Sequence, residues 1–349
     1  MAERRTAILG CGPRAADHAA AYRSLVAGGR LVACCDMDAQ RLEAFAAKFG
    51  IEQRFGDLAQ MLRAVRPDLL HVVAAPPFRP ALLEVILGER PPAVLVEKPL
   101  ARRPEEGAAW IEGCQRAGVA LFVNHQLRYH RPFQRVRQLV ESGSLGRLEF
   151  GRGSCRGNLL EQGTHLFDMV SYFLGDGPVE WIFAQAEGAE GYASAHSAPS
   201  YAAGAALFPG GVHVGFECGA PAGTWREEPV YWWNKGVELV GTRGRVGAST
   251  HHGWWAQTEA GGLEGEVVPY PEEDLRAQAR LTETILAALD DPERHQAHAA
   301  TARLSFDLAM AAQRAALLRR RVDPREPVAD REIEALRAAL AAAEPRAAG

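Results

Sequence analysis

Long apolar runs are missing from this sequence. A membrane-spanning helix needs about 18 consecutive apolar residues, and the stretch after Arg4-Arg5 runs only from Ala7 to Leu9 before a glycine interrupts it. Neither a membrane partner nor an export signal is expected on that pattern. The six cysteines (Cys11, Cys34, Cys35, Cys114, Cys155 and Cys218) form no C-x-x-C pair. That spacing suits neither a disulfide framework nor a zinc site, so a reduced, cytoplasmic setting without a metal is expected. Excess basic charge is absent as well: 39 basic residues stand against 43 acidic ones, for a net charge of -4. The electrostatic footprint of a nucleic-acid binder is lacking. Lysine is scarce, occurring only at 48, 98 and 235 while arginine supplies the other 36 basic residues, which singles out each lysine for inspection.

What remains is an ordinary globular composition, 47% hydrophobic and 23% charged over 349 residues, enough for two domains at about 100 to 200 residues each. From Thr6 to Val123, short apolar runs (Ala7–Leu9, Leu31–Cys35, Leu69–Ala74, Val94–Glu97, Ala120–Val123) alternate with helical stripes such as Leu42, Phe45, Ala46 and Phe49. This rhythm predicts a parallel sheet wrapped by helices, with Gly50 and Asp57 as helix end and start signals. After residue 124 the pattern changes. Helices are predicted over Pro132–Ser142 and Leu159–Leu174, and a mainly antiparallel sheet over 179–258, whose hairpins turn at Pro209–Gly211 and Gly241–Gly244. Two helical segments follow, Glu272–Leu289 and Ala299–Arg320. The expected division is 1–123, 124–330 and a C-terminal helix with a frayed tail over 331–349.

Gly10-Cys11-Gly12-Pro13-Arg14-Ala15 lies directly after the first strand and opens a helix, the context in which G-x-G-x-x-A binds a dinucleotide. The first glycine permits the tight turn, the second admits a pyrophosphate to the backbone, and Ala15 allows close packing of helix on strand. Asp36 ends the second strand, where a carboxylate accepts hydrogen bonds from a ribose diol. It disfavours a 2′-phosphate, so NAD is expected over NADP, although Arg41 lies close in sequence. Lys98, after the strand Val94–Val96 and before Pro99, falls at the carboxyl end of a parallel strand, where ligands of open α/β sheets bind. Further on, Glu161, His165, Asp168 and Tyr172 recur at i, i+4, i+7 and i+11 on one predicted helix face. A solvated face carries Lys, Arg and Glu; this one carries His, Asp and Tyr beside a single Glu, and is expected to line a cleft.

Taken together, Gly10–Ala15, Asp36-Met37-Asp38, Ala75-Pro76-Pro77, Glu97-Lys98-Pro99, Arg128-Tyr129-x-x-Pro132 and Glu161-Gln162-Gly163-Thr164-His165-x-x-Asp168 resemble the Gfo/Idh/MocA family over nearly all of residues 5–320. The resemblance implies an α/β fold: an N-terminal Rossmann domain plus a C-terminal α/β domain with a large open, mainly antiparallel sheet that often forms a homodimer or homotetramer. It also implies hydride transfer between a nicotinamide cofactor and a sugar or cyclitol. Under it, His165 is the acid/base, since histidine titrates near neutrality, Lys98 stabilises developing alkoxide charge, and Glu161 orients. Gly10, Gly12, Pro13, Arg14, Ala15, Asp36, Ala75, Pro76, Glu97 and Lys98 are the expected cofactor contacts. Lys98, Asn124, Arg128, Tyr129, His165 and Asp168 are the expected substrate contacts. The chain departs from many relatives at Glu161, where they carry aspartate, and at Pro80, where they carry histidine. Two rival readings keep the nucleotide site: redox-neutral glycoside cleavage or elimination with a retained NAD, and nucleotide binding without catalysis. Histidine pairs 251/252 and 295/298 are expected to be structural, and Trp232-Trp233 and Trp254-Trp255 to pack rather than stack on sugars.

Overall fold

Strands buried on both faces read as unbroken apolar runs, and Leu69–Val72 and Ala93–Glu97 are buried at every position. In the computed structural model, which describes residues 3–343 except 24, 225, 226, 266 and 268, such runs build a six-stranded parallel sheet. Its elements are β1 (Arg4–Leu9), α1 (Pro13–Tyr22), β2 (Gly29–Cys35), α2 (Ala39–Phe49), β3 (Gln53–Phe55), α3 (Leu58–Val65), β4 (Leu69–Val72), α4 (Arg79–Glu89), β5 (Ala93–Glu97), α5 (Pro104–Ala117) and β6 (Ala120–Asn124). Strand order is β3-β2-β1-β4-β5-β6, the doubly wound order of dinucleotide-binding folds. The expected punctuation is present. Asp57 accepts from the Gln60 amide at 2.7 Å to cap α3, and Gly50 ends α2 in the left-handed region at φ 69°. The edge strand β3 was not expected, because three residues with two exposed polar side chains carry no alternating signal.

The second part begins with α6 (Arg131–Glu141) and β7 (Leu148–Cys155), then a five-residue π turn over Leu159–Gly163 and α7 (Thr164–Phe173). It continues through β8 (Trp181–Glu187), β9 (Tyr201–Phe208), β10 (Val212–Gly219), β11 (Lys235–Gly241), β12 (Gly244–Ser249), β13 (Gly253–Thr258) and β14 (Gly261–Glu264). These strands form one eight-stranded sheet in the order β14-β13-β12-β11-β7-β10-β9-β8. Only β10 and β7 run parallel; every other pair is antiparallel. Helix α7 packs on β7 and β11, and α6 on β12 and β13. The hairpins β9–β10 and β11–β12 turn where the glycine pairs predicted. Three helices follow: α8 (Tyr270–Ala288), α9 (Ala299–Leu318) and α10 (Asp330–Ala343). The tail expected beyond Ala343 lies outside the described residues.

The chain divides into two compact units, one of residues 1–101, 106–129 and 271–303, the other of 102–105, 130–270 and 304–349. This corrects the linear boundary at 123/124. Leu281, Ile285 and Leu286 of α8 share a core with Leu69, Leu95 and Phe122, so the apolar face of that late helix is buried on the first sheet. Sequence order carries no sign of such a return.

Candidate functional site

In the first unit, the carboxyl ends of β1, β2, β4 and β5 bring together Gly10–Ala15, Asp36, Ala75-Pro76 and Lys98. Gly10 has φ +92°, and a Cβ there would stand 3.0 Å from the Val73 carbonyl oxygen. Only glycine fits this turn. A Cβ at Gly12, by contrast, would meet nothing within 4 Å, so the loop is open above the start of α1, where helix amides attract phosphate. Pro13 begins α1 and Ala15 is fully buried beneath it. Asp36 accepts from the Cys11 amide at 2.9 Å and the Asp38 amide at 2.9 Å, and Arg41 grips both its oxygens at 2.8 and 2.9 Å. Burial opposes ionisation of Asp36, but these hydrogen bonds outweigh it and hold the carboxyl below its ordinary range. The residues fit a dinucleotide on one condition: a ribose diol must share Asp36 with Arg41, whose side chain is 48% exposed.

Arg14, Glu97 and Asn124, expected as ligand contacts, meet in one hydrogen-bond network. Glu97 Oε1 accepts from Arg14 Nε at 2.7 Å, His18 Nε2 at 2.9 Å and Asn124 Nδ2 at 2.8 Å. Arg14 also reaches Asp274 at 2.9 Å and Gln278 at 3.0 Å on α8. Their side chains thus bind one another beneath the phosphate loop and the Lys98 turn. The network continues from His18 Nδ1 to His71 Nδ1 at 3.0 Å, and from His71 Nε2 to the Tyr22 hydroxyl at 2.8 Å. One proton arrangement satisfies every link with neutral rings: Tyr22 donates to His71, His71 to His18, and His18 to Glu97. Burial lowers the pKa of both histidines, and although burial also opposes charge on Glu97, Arg14 and His18 drive its carboxyl well below the usual range.

These shifts predict acid sensitivity. The unfolded chain takes up protons on His18 and His71 near their ordinary pKa of about 6.5, whereas the folded chain does not. Stability is therefore complete above that value and falls as pH drops below it, by about 1.4 kcal/mol per pH unit for each histidine. Urea unfolding of the wild type and of His71→Phe between pH 7 and pH 5 checks this; the variant should show the shallower pH dependence.

Arg128 and Tyr129 are 1% and 5% exposed. The Tyr129 hydroxyl bonds His295 at 3.2 Å and Thr284 at 3.1 Å, anchoring the turn onto α8. His295 and His298 stand edge-on to Phe122, with centroids 5.5 and 5.8 Å away. Burial brings His295 down to about 4, in keeping with a packing role.

In the second unit, the predicted single helix over Leu159–Leu174 is two elements. Asn158 Oδ1 accepts from the amides of Leu160 at 3.1 Å and Glu161 at 2.9 Å, and the Gly163 amide reaches back five residues to the Asn158 carbonyl at 3.1 Å. This widened π turn, a geometry common at functional sites, carries Glu161, while His165 and Asp168 ride on α7. Every residue of α7 is buried, His165 at 3% and Asp168 at 2% exposure, so the polar stripe is no solvated face. Sequence reasoning missed Tyr231, whose hydroxyl donates to Glu161 and whose ring is 53% exposed. Burial first, then Glu161, push its hydroxyl up to about 12. The Tyr231-Trp232-Trp233 run was its one visible sign. Lys235, 3% exposed, donates to the Trp232 carbonyl, with its ammonium 5.7 Å from the Trp232 ring and 5.4 Å from Tyr270. Trp233 stacks on His251 at 4.9 Å. His251 and His252 do have a carboxylate, Glu228, contrary to expectation, yet among the described residues no cluster of three or more His, Cys, Asp or Glu suited to a metal occurs.

A glycine loop at a helix start, an acid closing β2 and strand order 3-2-1-4-5-6 define a dinucleotide-binding Rossmann unit. Residues 4–125 match the Gfo/Idh/MocA model, described as an oxidoreductase family with an NAD-binding Rossmann fold. D-Apiose dehydrogenase of Rhizobium rhizogenes is 29% identical over 193 residues, 50% of this chain and 55% of that protein. The chain spans about half the length of the first curated relatives it matches. An oxidoreductase from Agrobacterium radiobacter, solved with NAD+, L-tartaric acid and magnesium, superposes with TM-score 0.79 at 22% identity over 92% of this chain and 98% of that one. Scyllo-inositol dehydrogenase from Lactobacillus casei, solved with NAD(H) and scyllo-inositol, gives 0.72 at 16% identity over 93% and 99%. The two structures establish the same fold. No described helix is long and apolar enough to cross a membrane.

Proposed function

We propose that this protein is an NAD-dependent oxidoreductase that transfers hydride between the nicotinamide and a secondary alcohol of a sugar, sugar derivative or cyclitol. The observation that carries the reading is the placing of Lys98 at the same sheet edge as the Gly10–Ala15 loop and Asp36. The names of the apiose and inositol dehydrogenases point to the substrate class. Bound at this edge, the nicotinamide supplies hydride acceptance. Gly10, Gly12 and the amides opening α1 hold its pyrophosphate, and Asp36 holds a ribose diol and disfavours a 2′-phosphate, which favours NAD over NADP. Lys98 stabilises negative charge on the reacting oxygen. His165 takes the hydroxyl proton, and Glu161 and Asp168 hold neighbouring hydroxyls. Residues Phe150, Arg152 and Ser154 alternate with Gly153, which faces Leu166 of α7. The sheet face away from α7, with Phe150 47% exposed, is the proposed surface for a second copy.

The test is the reduced-nicotinamide absorbance of purified protein given NAD or NADP with a panel of sugars, inositols and their acids. A substrate-dependent rise, larger with NAD, is expected. A band already present and indifferent to added NAD would replace net oxidation with the redox-neutral reaction. Binding of NADH without any turnover would leave nucleotide binding alone.

A further inference from the structure

Arg79, the first residue of α4, is 3% exposed. No carboxylate among the described residues lies within ion-pair distance of it. Its partners are two main-chain carbonyls: Nε donates to Ala74 O at 3.0 Å, and Nη1 donates to Pro99 O. Burial pulls this guanidinium down to about 10, against the more distant pull of Glu97 and Glu106. Burying a cation costs several kcal/mol, and a well-packed apolar residue is often as stable or better. Stability alone gives little reason for a guanidinium here.

The positions of the two carbonyls give a better one. Ala74 follows β4, and its amide nitrogen and the Val73 carbonyl form the wall that a Cβ at Gly10 would strike, at 3.3 and 3.0 Å. Pro99 is the residue after Lys98. One rigid fork thus ties the wall of the phosphate loop to the lysine turn. The planar guanidinium spans two acceptors at fixed separation; an ammonium, a single point charge, does not. We propose that Arg79 is a positioning residue that sets Lys98 in register with the dinucleotide loop. This deepens the functional reading above, since Lys98 acts there on the reacting oxygen.

Two measurements test it, one of which needs neither cofactor nor substrate. With lysines only at 48, 98 and 235, trace acetylation followed by peptide mass spectrometry reads Lys98 separately, with exposed Lys48 as internal standard. Arg79→Lys keeps the charge and removes the fork. The Lys98 to Lys48 labelling ratio should rise threefold or more in that variant. Its kcat should fall about 10²-fold, the scale of misplacing a reacting group by about 1 Å, with KM for NAD changing far less. In Arg79→Ala, millimolar guanidinium should restore at least tenfold of the lost kcat, which a general packing defect would not allow. A labelling ratio within twofold of wild type overturns the proposal, whatever the turnover. Absence of turnover in the wild type overturns the functional reading instead, and the labelling still decides the role of Arg79.

Discussion

His165→Ala should leave NADH binding within about twofold of wild type while turnover at saturating cofactor and substrate falls by roughly 10²- to 10⁴-fold, the usual contribution of a general acid/base. The two effects separate because the groups that fit the dinucleotide, from Gly10 to Lys98, belong to the first unit, whereas His165 lies on α7 of the second. Truncating a side chain only 3% exposed also leaves a cavity, which itself destabilises. His165→Gln, which fills more of that space but cannot act as a base near neutrality, should show the same loss of turnover at closer to wild-type stability. NADH fluorescence titration and steady-state kinetics on the same preparations are the measurements. Preserved turnover in His165→Gln would remove the acid/base from this residue.

The parts of the fold that the sequence made legible are those governed by local rules. Apolar runs buried on both faces gave the five long parallel strands, and Asp57 and Gly50 marked helix ends through their own backbone chemistry. Paired glycines located two hairpins of the second sheet. What remained hidden depends on contacts distant in sequence. The return of α8 to the first sheet is written only in an ordinary amphipathic stripe, which says that a face is buried and not where. The π turn at Leu159–Gly163 is set by a single cap, Asn158, in a stretch whose apolar spacing suits an α-helix equally well. Among the candidate site residues, the places of Gly10 and Gly12 in the turn from β1 to α1 and of Asp36 at the end of β2 were legible because local backbone rules fix them. Arg14, Glu97 and Asn124 looked like ligand contacts for the same positional reason. The hydrogen bonds that join them, from Arg14, His18 and Asn124 to Glu97 across 83, 79 and 27 residues and from Arg14 to α8, lie beyond any motif.

The second large effect expected follows from that hidden network. Glu97→Leu should destabilise the first unit by about 3–5 kcal/mol, the range for removing one partner of a buried charge cluster. Arg14 contributes the lesser part, because its side chain is 30% exposed and water can replace the lost carboxylate. The larger part comes from His18 and Asn124, 1% and 0% exposed, whose donors lose an acceptor that water cannot reach without opening the core. Two further outcomes distinguish this account from simple overpacking. Glu97→Leu combined with His18→Leu should cost less than the sum of the single changes, since removing both partners leaves fewer orphaned groups. Glu97→Gln, which keeps an acceptor oxygen but no charge, should fall between wild type and Glu97→Leu. Denaturant unfolding followed by a probe in the first unit measures all four proteins. Because Glu97 precedes Lys98 directly, a loosened carboxylate hub should also slow turnover in proportion to how far the lysine turn relaxes. Unfolding free energies of Glu97→Leu within 1 kcal/mol of wild type would show that Arg14, His18 and Asn124 find other partners, and that the carboxylate is free for a ligand after all.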